Sequence, residues 1–140
     1  DIALAAKSAR FTLAYTGIGL SPDGGATWLL PRLVGLRRAQ ELALENRSLD
    51  AEEAARIGLI TRVVDDAQLA GEAEALAQRL ARSATAALGR TRVLLRESFS
   101  ASLETQLDAE IRSIAALGGQ PQAQEGLQAF LAKRPPDFSG

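Results

Sequence analysis

SPDGGATWLLPRLVG, residues 21–35, decides how this chain is read. Its one carboxylate, Asp23, stands between Pro22, which cannot continue a helix, and the pair Gly24-Gly25, which frees the backbone. An acid in such a turn faces whatever occupies it. The apolar TWLL that follows begins a short helix. This puts Asp23 at or near a helix N-terminus, while Gly24 and Gly25 let backbone N–H groups approach a ligand. That geometry suits proton transfer. From these residues alone a capping or turn role is favoured over it, because Asp is a preferred N-cap residue and Pro-Asp-Gly is common turn chemistry.

Outward from the turn, the chain passes from a strand-like opening to a succession of helices. Residues 2–6 and 10–13 read as extended, joined through Lys7-Ser8-Ala9. After the turn, Pro31 and Gly35 bracket Arg32-Leu33-Val34, and residues 36–44 read as a helix that stops near Asn46. Asp50-Ala51-Glu52-Glu53 has the form of a capping-box start for a short helix closed by Gly58. The β-branched run at 59–64 predicts a strand. Leu69, Ala73, Leu76 and Leu80 share one helical face, as do Leu103, Leu107, Ile111 and Ile114, so two long amphipathic helices are expected, with a third at 88–99. Gly118-Gly119 breaks the pattern before a last helix at 121–131, and Pro135-Pro136 forbids its continuation. No internal repeat or low-complexity tract interrupts this series.

Composition narrows the chemistry. With 140 residues, 46% of them hydrophobic, and a net charge of -1, the chain has the make-up of a globular domain with a core. It starts at Asp1 and contains no Met, which reads as a piece of a longer protein. The basic residues are scattered, with no run that tracks phosphates, so no nucleic-acid partner is expected. No apolar stretch reaches membrane-spanning length and no leader is evident, so a cytoplasmic protein without membrane attachment is the expectation. With no His and no Cys, these residues cannot supply a Ser-His-Asp triad, a thiolate nucleophile or a His/Cys metal site. Carboxylates, Tyr15, hydroxyls and backbone amides remain. Glu52-Glu53 and Asp65-Asp66 are adjacent pairs that do not face each other on a helix, and they read as solvated charge.

The order of the motifs adds to their content. DIALAAKSARF, SPDGGATWLLPRLVG, ALENRSLDAEEAARIGLITRVVDD and EGLQAFLAKRPPDFSG together resemble the crotonase, or enoyl-CoA hydratase/isomerase, superfamily over essentially every residue. The resemblance implies an α/β crotonase-like spiral fold, with this segment as its mainly α-helical C-terminal half carrying a few short strands. Residues 1–64 would be the last part of the spiral core, with the active-site turn, and 65–140 a helical trimerisation region. Within the superfamily the turn resembles that of ring-epoxide isomerases of phenylacetate degradation.

Acyl-CoA thioester chemistry follows from that resemblance, with an enolate-like oxygen held by two backbone N–H groups. In the family both donors lie upstream of the position matching Asp1, as does the first of the two glutamates that hydratases use. The second hydratase glutamate falls at Tyr15, which cannot act as a carboxylate at neutral pH. Isomerases of the superfamily often place their acid at the position of Asp23, where one carboxylate shuttles a proton as base and then acid. The implied substrate pocket takes in Tyr15, Gly24, Gly25 and Trp28; for the two aromatics, plain packing is the alternative. Phe130 and Lys133 match residues that approach the adenine and 3'-phosphate end of CoA, commonly on a neighbouring subunit. Lys133 reads otherwise as a cation near a helix C-terminus.

Residues 103–131 would be an oligomer surface of a homo-trimer or hexamer, or else a monomer core. No metal and no cofactor is implied, since CoA is part of the substrate. Three alternatives stand beside the isomerase: a hydratase-like enzyme, an acyl-CoA dehalogenase in which Asp23 is the nucleophile, and a non-catalytic helical assembly module. The dehalogenase pattern has an aromatic eight residues before the acid, where Tyr15 stands, although Trp is the residue expected there.

Overall fold

The computed structural model describes residues 1–138; Ser139 and Gly140, which end the closing KRPPDFSG motif, lie outside the described residues. The elements run β1 (Leu4–Ala6), β2 (Arg10–Thr12), α1 (Ala26–Val34), α2 (Leu36–Glu45), β3 (Ser48–Asp50), α3 (Ala51–Arg56), β4 (Arg62–Val64), α4 (Leu69–Ala81), α5 (Thr85–Glu97), α6 (Leu103–Gly118) and α7 (Pro121–Leu131). Short 3-10 turns cover Thr16–Ile18 and Asp66–Gln68. The chain forms two compact units, one of Asp1–Ala73 and a second from Glu74 on.

In the first unit β1 pairs in parallel with β4, Ala5 opposite Val63, and β2 pairs antiparallel with β3, Phe11 opposite Leu49. Leu49 is 1% exposed and sits in a core with Ala5, Val34, Leu42, Ala54 and Ile60. Strand β3 is absent from the sequence expectation. It is three residues long, with one buried side chain between two exposed ones, and leaves no periodicity to detect. The expected strand at 59–64 shrinks to β4 because Leu59 and Ile60 still serve α3: their N–H groups donate to Ala54 O at 2.9 and 3.3 Å, around Gly58 at φ 83°. Asp50 caps α3, accepting from Glu53 N at 2.7 Å. The Glu53 carboxylate turns away from the capping box to meet Arg47 at 2.6 Å, with Arg56 at 3.6 Å.

Helix α1 runs through Pro31 rather than ending there. Proline removes one N–H and clashes one turn back, but the helix resumes at once: Pro31 O accepts from Gly35 N at 3.0 Å. Gly35, at φ 81°, then turns the chain into α2.

Helix α4 crosses the boundary at Ala73, and the second unit is helical. The face of α4 expected to point inward does so, with Leu69, Ala73 and Leu80 half-buried and Leu76 buried. Helix α5 starts at Thr85, three residues before the expected 88, and ends at Glu97. Ser102 caps α6, accepting from Thr105 N at 3.2 Å. Its apolar stripe is left uncovered by the described residues: Leu103, Leu107, Ile111 and Ile114 are 48–73% exposed. The buried side of α6 carries Ser113 instead, and Gln106 Nε2 donates to Leu94 O of α5 at 3.2 Å. Helix α7 ends with Lys133 at φ 51°, and Arg134 N reaches back to Ala129 O at 3.0 Å, a left-handed C-terminal cap that usually takes Gly. Beyond it Arg134 grips Glu125 with both guanidinium nitrogens, at 2.6 and 2.8 Å.

Candidate active site

Asp23 precedes α1 by three residues, and its side chain does not cap that helix. The cap position is Gly25, which makes no side-chain hydrogen bond, and Ala26 N donates to the backbone oxygen of Asp23 at 3.0 Å. Gly24 and Gly25 both take positive φ, 59° and 83°, while a Cβ at either position would meet nothing within 4 Å. Glycine is required there by backbone conformation and not by crowding. The Asp23 carboxylate is exposed and accepts a hydrogen bond from the Tyr15 hydroxyl, with Oδ1 at 2.7 Å.

Tyr15 is itself anchored. Its backbone oxygen accepts from Ile18 N and Leu20 N at 3.1 and 3.0 Å, closing the 3-10 turn. Thr16 Oγ1 lies 2.7 Å from Ala43 O and 3.0 Å from Asn46 Oδ1, and Gly17 N donates to Asn46 Oδ1 at 3.1 Å. Asn46 holds the end of α2 at φ 50°. Thus α1 and α2 carry the chain from Asp23 to Asn46, which returns to fix the residue next to Tyr15. The sequence reading used Asn46 only as a helix stop. A tether across 29 and 30 residues has no local signature, although an Asn at a left-handed helix end is the cue that its side chain has work beyond the cap.

The hydrogen bond to Asp23, then the Asp23 charge, then desolvation push the Tyr15 phenol above its ordinary 10.0. It therefore remains protonated, a donor, across the neutral range. Trp28 lies on α1, 48% exposed, with the Arg32 guanidinium 3.9 Å from its ring centroid. Such stacking favours a cation over an indole face. Tyr15, Asp23, Gly24, Gly25 and Trp28 thus belong to one turn-helix segment of the first unit. Phe130, 81% exposed, and Lys133 belong to the second.

In each carboxylate pair of the sequence reading one member has a structural partner: Glu53 meets Arg47, and Asp66 meets Ser8. Asp66 accepts from Ser8 N at 3.1 Å and from the Ser8 hydroxyl, which holds its carboxyl below the usual range. Among the described residues no group of three or more His, Cys, Asp or Glu is placed to hold a metal ion, and no helix is long and apolar enough to cross a membrane. Two cavities lie away from the turn. One, of about 190 Å³, lies among Arg38, Glu41, Arg47, Glu53 and Arg56, where opposite charges largely cancel. The other, of about 210 Å³, is lined mainly by Ala87, Leu117, Ala123 and Phe138 in the second unit.

The family model for enoyl-CoA hydratase/isomerase matches residues 1–140. The chain is 45% identical over 140 residues to the 1,2-epoxyphenylacetyl-CoA isomerase of Escherichia coli strain K12, covering 100% of this chain and 53% of that protein. It is also 45% identical over 140 residues to a Rhodobacter capsulatus protein described as a probable enoyl-CoA hydratase, covering 100% of this chain and 54% of the other. Among solved structures, an enoyl-CoA hydratase/isomerase from Cupriavidus metallidurans CH34 superimposes with a TM-score of 0.93 at 42% identity, over 100% of this chain and 53% of that one. The chain spans about half the length of the curated relatives it matches. Two relatives of equal identity carry different activities in their names, so the chemistry turns on the site.

Proposed function

The chain belongs to the enoyl-CoA hydratase/isomerase family, and on that premise we propose that it carries the acid/base of an acyl-CoA thioester isomerase, with Asp23 moving a proton between carbons of the acyl group. The observation that supports this reading is the freedom of Asp23 from structural duty. A carboxylate in a Pro-Asp-Gly-Gly turn would ordinarily cap the following helix, yet here α1 begins without it and the side chain turns to Tyr15. An exposed, oriented carboxylate can take a proton as base and return it as acid.

The resemblance supplies the remaining parts. An enolate oxygen would be stabilised by two backbone N–H groups from the half of the family fold that precedes these residues. Phe130 and Lys133 would approach the adenine and 3'-phosphate end of CoA, which belongs to the substrate, so no separate cofactor is called for. The exposed stripe of α6 supports a homo-trimer or hexamer, since large exposed apolar faces mark interaction surfaces. A double bond or a ring epoxide of an aromatic acyl group is the proposed target, in a cytoplasmic enzyme, with the phenylacetate-type substrate favoured by the name of the Escherichia coli relative.

A hydratase reading is weakened by Tyr15, a phenol where the resemblance puts the second glutamate. The test is to offer the full-length protein and its Asp23→Asn variant a β,γ-unsaturated acyl-CoA, a ring-epoxide thioester, a crotonyl-type thioester in water and a haloaryl thioester. Isomerisation that is lost in the variant is the expected result. Net hydration, halide release or an unaffected variant would each replace this reading with another.

A further inference from the structure

We propose that Tyr15 is a positioning residue for the reaction: its phenol holds Oδ1 of Asp23 and leaves Oδ2 as the single oxygen that takes up and returns the substrate proton. This rests on the reading of Asp23 as the acid/base. The geometry argues for it in three steps. Asp23 lies in a turn whose next two residues have no side chains, and the space a Cβ would take there is empty, so its neighbours in sequence do nothing to fix the carboxylate. The Tyr15 hydroxyl, eight residues away in sequence, does so at 2.7 Å. Tyr15 in turn is pinned through Thr16 and Gly17 to Ala43 and Asn46 at the end of α2, the helix that continues from α1 and hence from the Asp23 turn.

Asp23 accepts from the phenol, and its charge strengthens the phenol's hold on its proton. Tyr15 therefore donates and does not itself exchange protons in the working range. In the proposed step Oδ2 accepts a proton from the carbon between the thioester carbonyl and the double bond. The C–H electron pair enters the conjugated system and its charge comes to rest on the thioester oxygen. The same proton then passes from Oδ2 to the far carbon as those electrons return, leaving the carboxylate ionised and the double bond moved.

The test is Tyr15→Phe in the full-length protein, beside Asp23→Asn, with a β,γ-unsaturated acyl-CoA as substrate. The substitution removes one oxygen from a half-exposed ring, and a thermal melt matching wild type verifies the fold. The expected result is kcat lowered by about 10- to 100-fold, the rate equivalent of one hydrogen bond to a charged group, with KM within about twofold. Tyr15→Trp, whose indole N–H can donate in place of the phenol, recovers part of the lost kcat. A merely packing role leaves Tyr15→Phe, which keeps the ring, at wild-type kcat and gives Tyr15→Trp no advantage over it. Wild-type kcat in Tyr15→Phe, or no recovery in Tyr15→Trp, while Asp23→Asn is inactive, overturns the role of Tyr15 alone. An active Asp23→Asn overturns both this inference and the reading on which it rests.

Discussion

The two units of this chain use apolar residues in opposite ways. The first closes Leu49, Ala51 and Ala54 to 0–1% exposure, and builds the candidate active-site turn on a frame of two strand pairs and three helices. The second, longer in helix, buries Leu76 and Ala129 but leaves Ile111, Ile114, Phe130 and Leu131 64–81% exposed. Small buried residues allow close packing within one chain, whereas large exposed ones on regular helices prepare a surface for something else. On the proposed reading, a catalytic turn needs a frame that does not yield and an assembly surface needs side chains held outward.

The largest expected effect sharpens that contrast in one experiment. Leu49→Ala should lower stability by about 3 kcal/mol, within the range for a fully buried leucine, whereas Ile111→Ala should change it by less than about 0.5 kcal/mol. Urea denaturation of both variants, at a concentration low enough to keep the chain monomeric, measures this. Comparable losses would mean that α6 is part of a core after all. Sedimentation equilibrium adds the other side: the wild-type chain should self-associate and Ile111→Arg should weaken it, and a clean wild-type monomer at high concentration would break the comparison.

A smaller effect separates two aspartates of the first unit. Asp50 caps α3 through Glu53 N, so Asp50→Ala should cost about 1 kcal/mol. Asp23 caps nothing, and Asp23→Ala should stay within about 0.5 kcal/mol, as for an exposed substitution. Equal losses by thermal melting would return Asp23 to a structural role.

The smallest effect is acid sensitivity of the α7 end. Arg134 first, then the N–H of Asp137, hold the Glu125 carboxyl down to about 2. A folded-state value below the ordinary 4.5 contributes stability that is complete above that value and is lost as pH falls from about 4.5 toward 2. NMR titration of Glu125, with Glu125→Gln as the comparison, should locate release of Arg134 in that window. Release at or above the ordinary carboxylate range would contradict the fork.

Much of the first unit was legible in sequence because its signals are local. Asp50 ahead of Glu53, Gly58 after α3 and the glycines of the turn each act on residues within four positions. Strand β3 was not legible, since its evidence is a partner, Phe11, far away in sequence. For α6 the periodicity located the helix correctly but could not say which way the stripe faced, because burial inside a monomer and burial between monomers leave the same pattern. At the site, the turn singled out Asp23 and the resemblance drew attention to Tyr15 eight residues before it, with no contact between them inferred. Their hydrogen bond, and the Thr16–Asn46 tether behind it, became visible only when the turn was folded over the end of α2.

The central claim is that the Asp23 carboxylate is held for proton transfer, and hydrogen exchange at carbon tests it most directly. A saturated acyl-CoA that cannot isomerise is incubated in D2O with the full-length protein or its Asp23→Asn variant, and deuterium entering beside the thioester carbonyl is followed by NMR. The account predicts exchange by the wild type and a loss of at least about 100-fold in the variant, with thioester binding unchanged. Exchange at the wild-type rate in Asp23→Asn would contradict it.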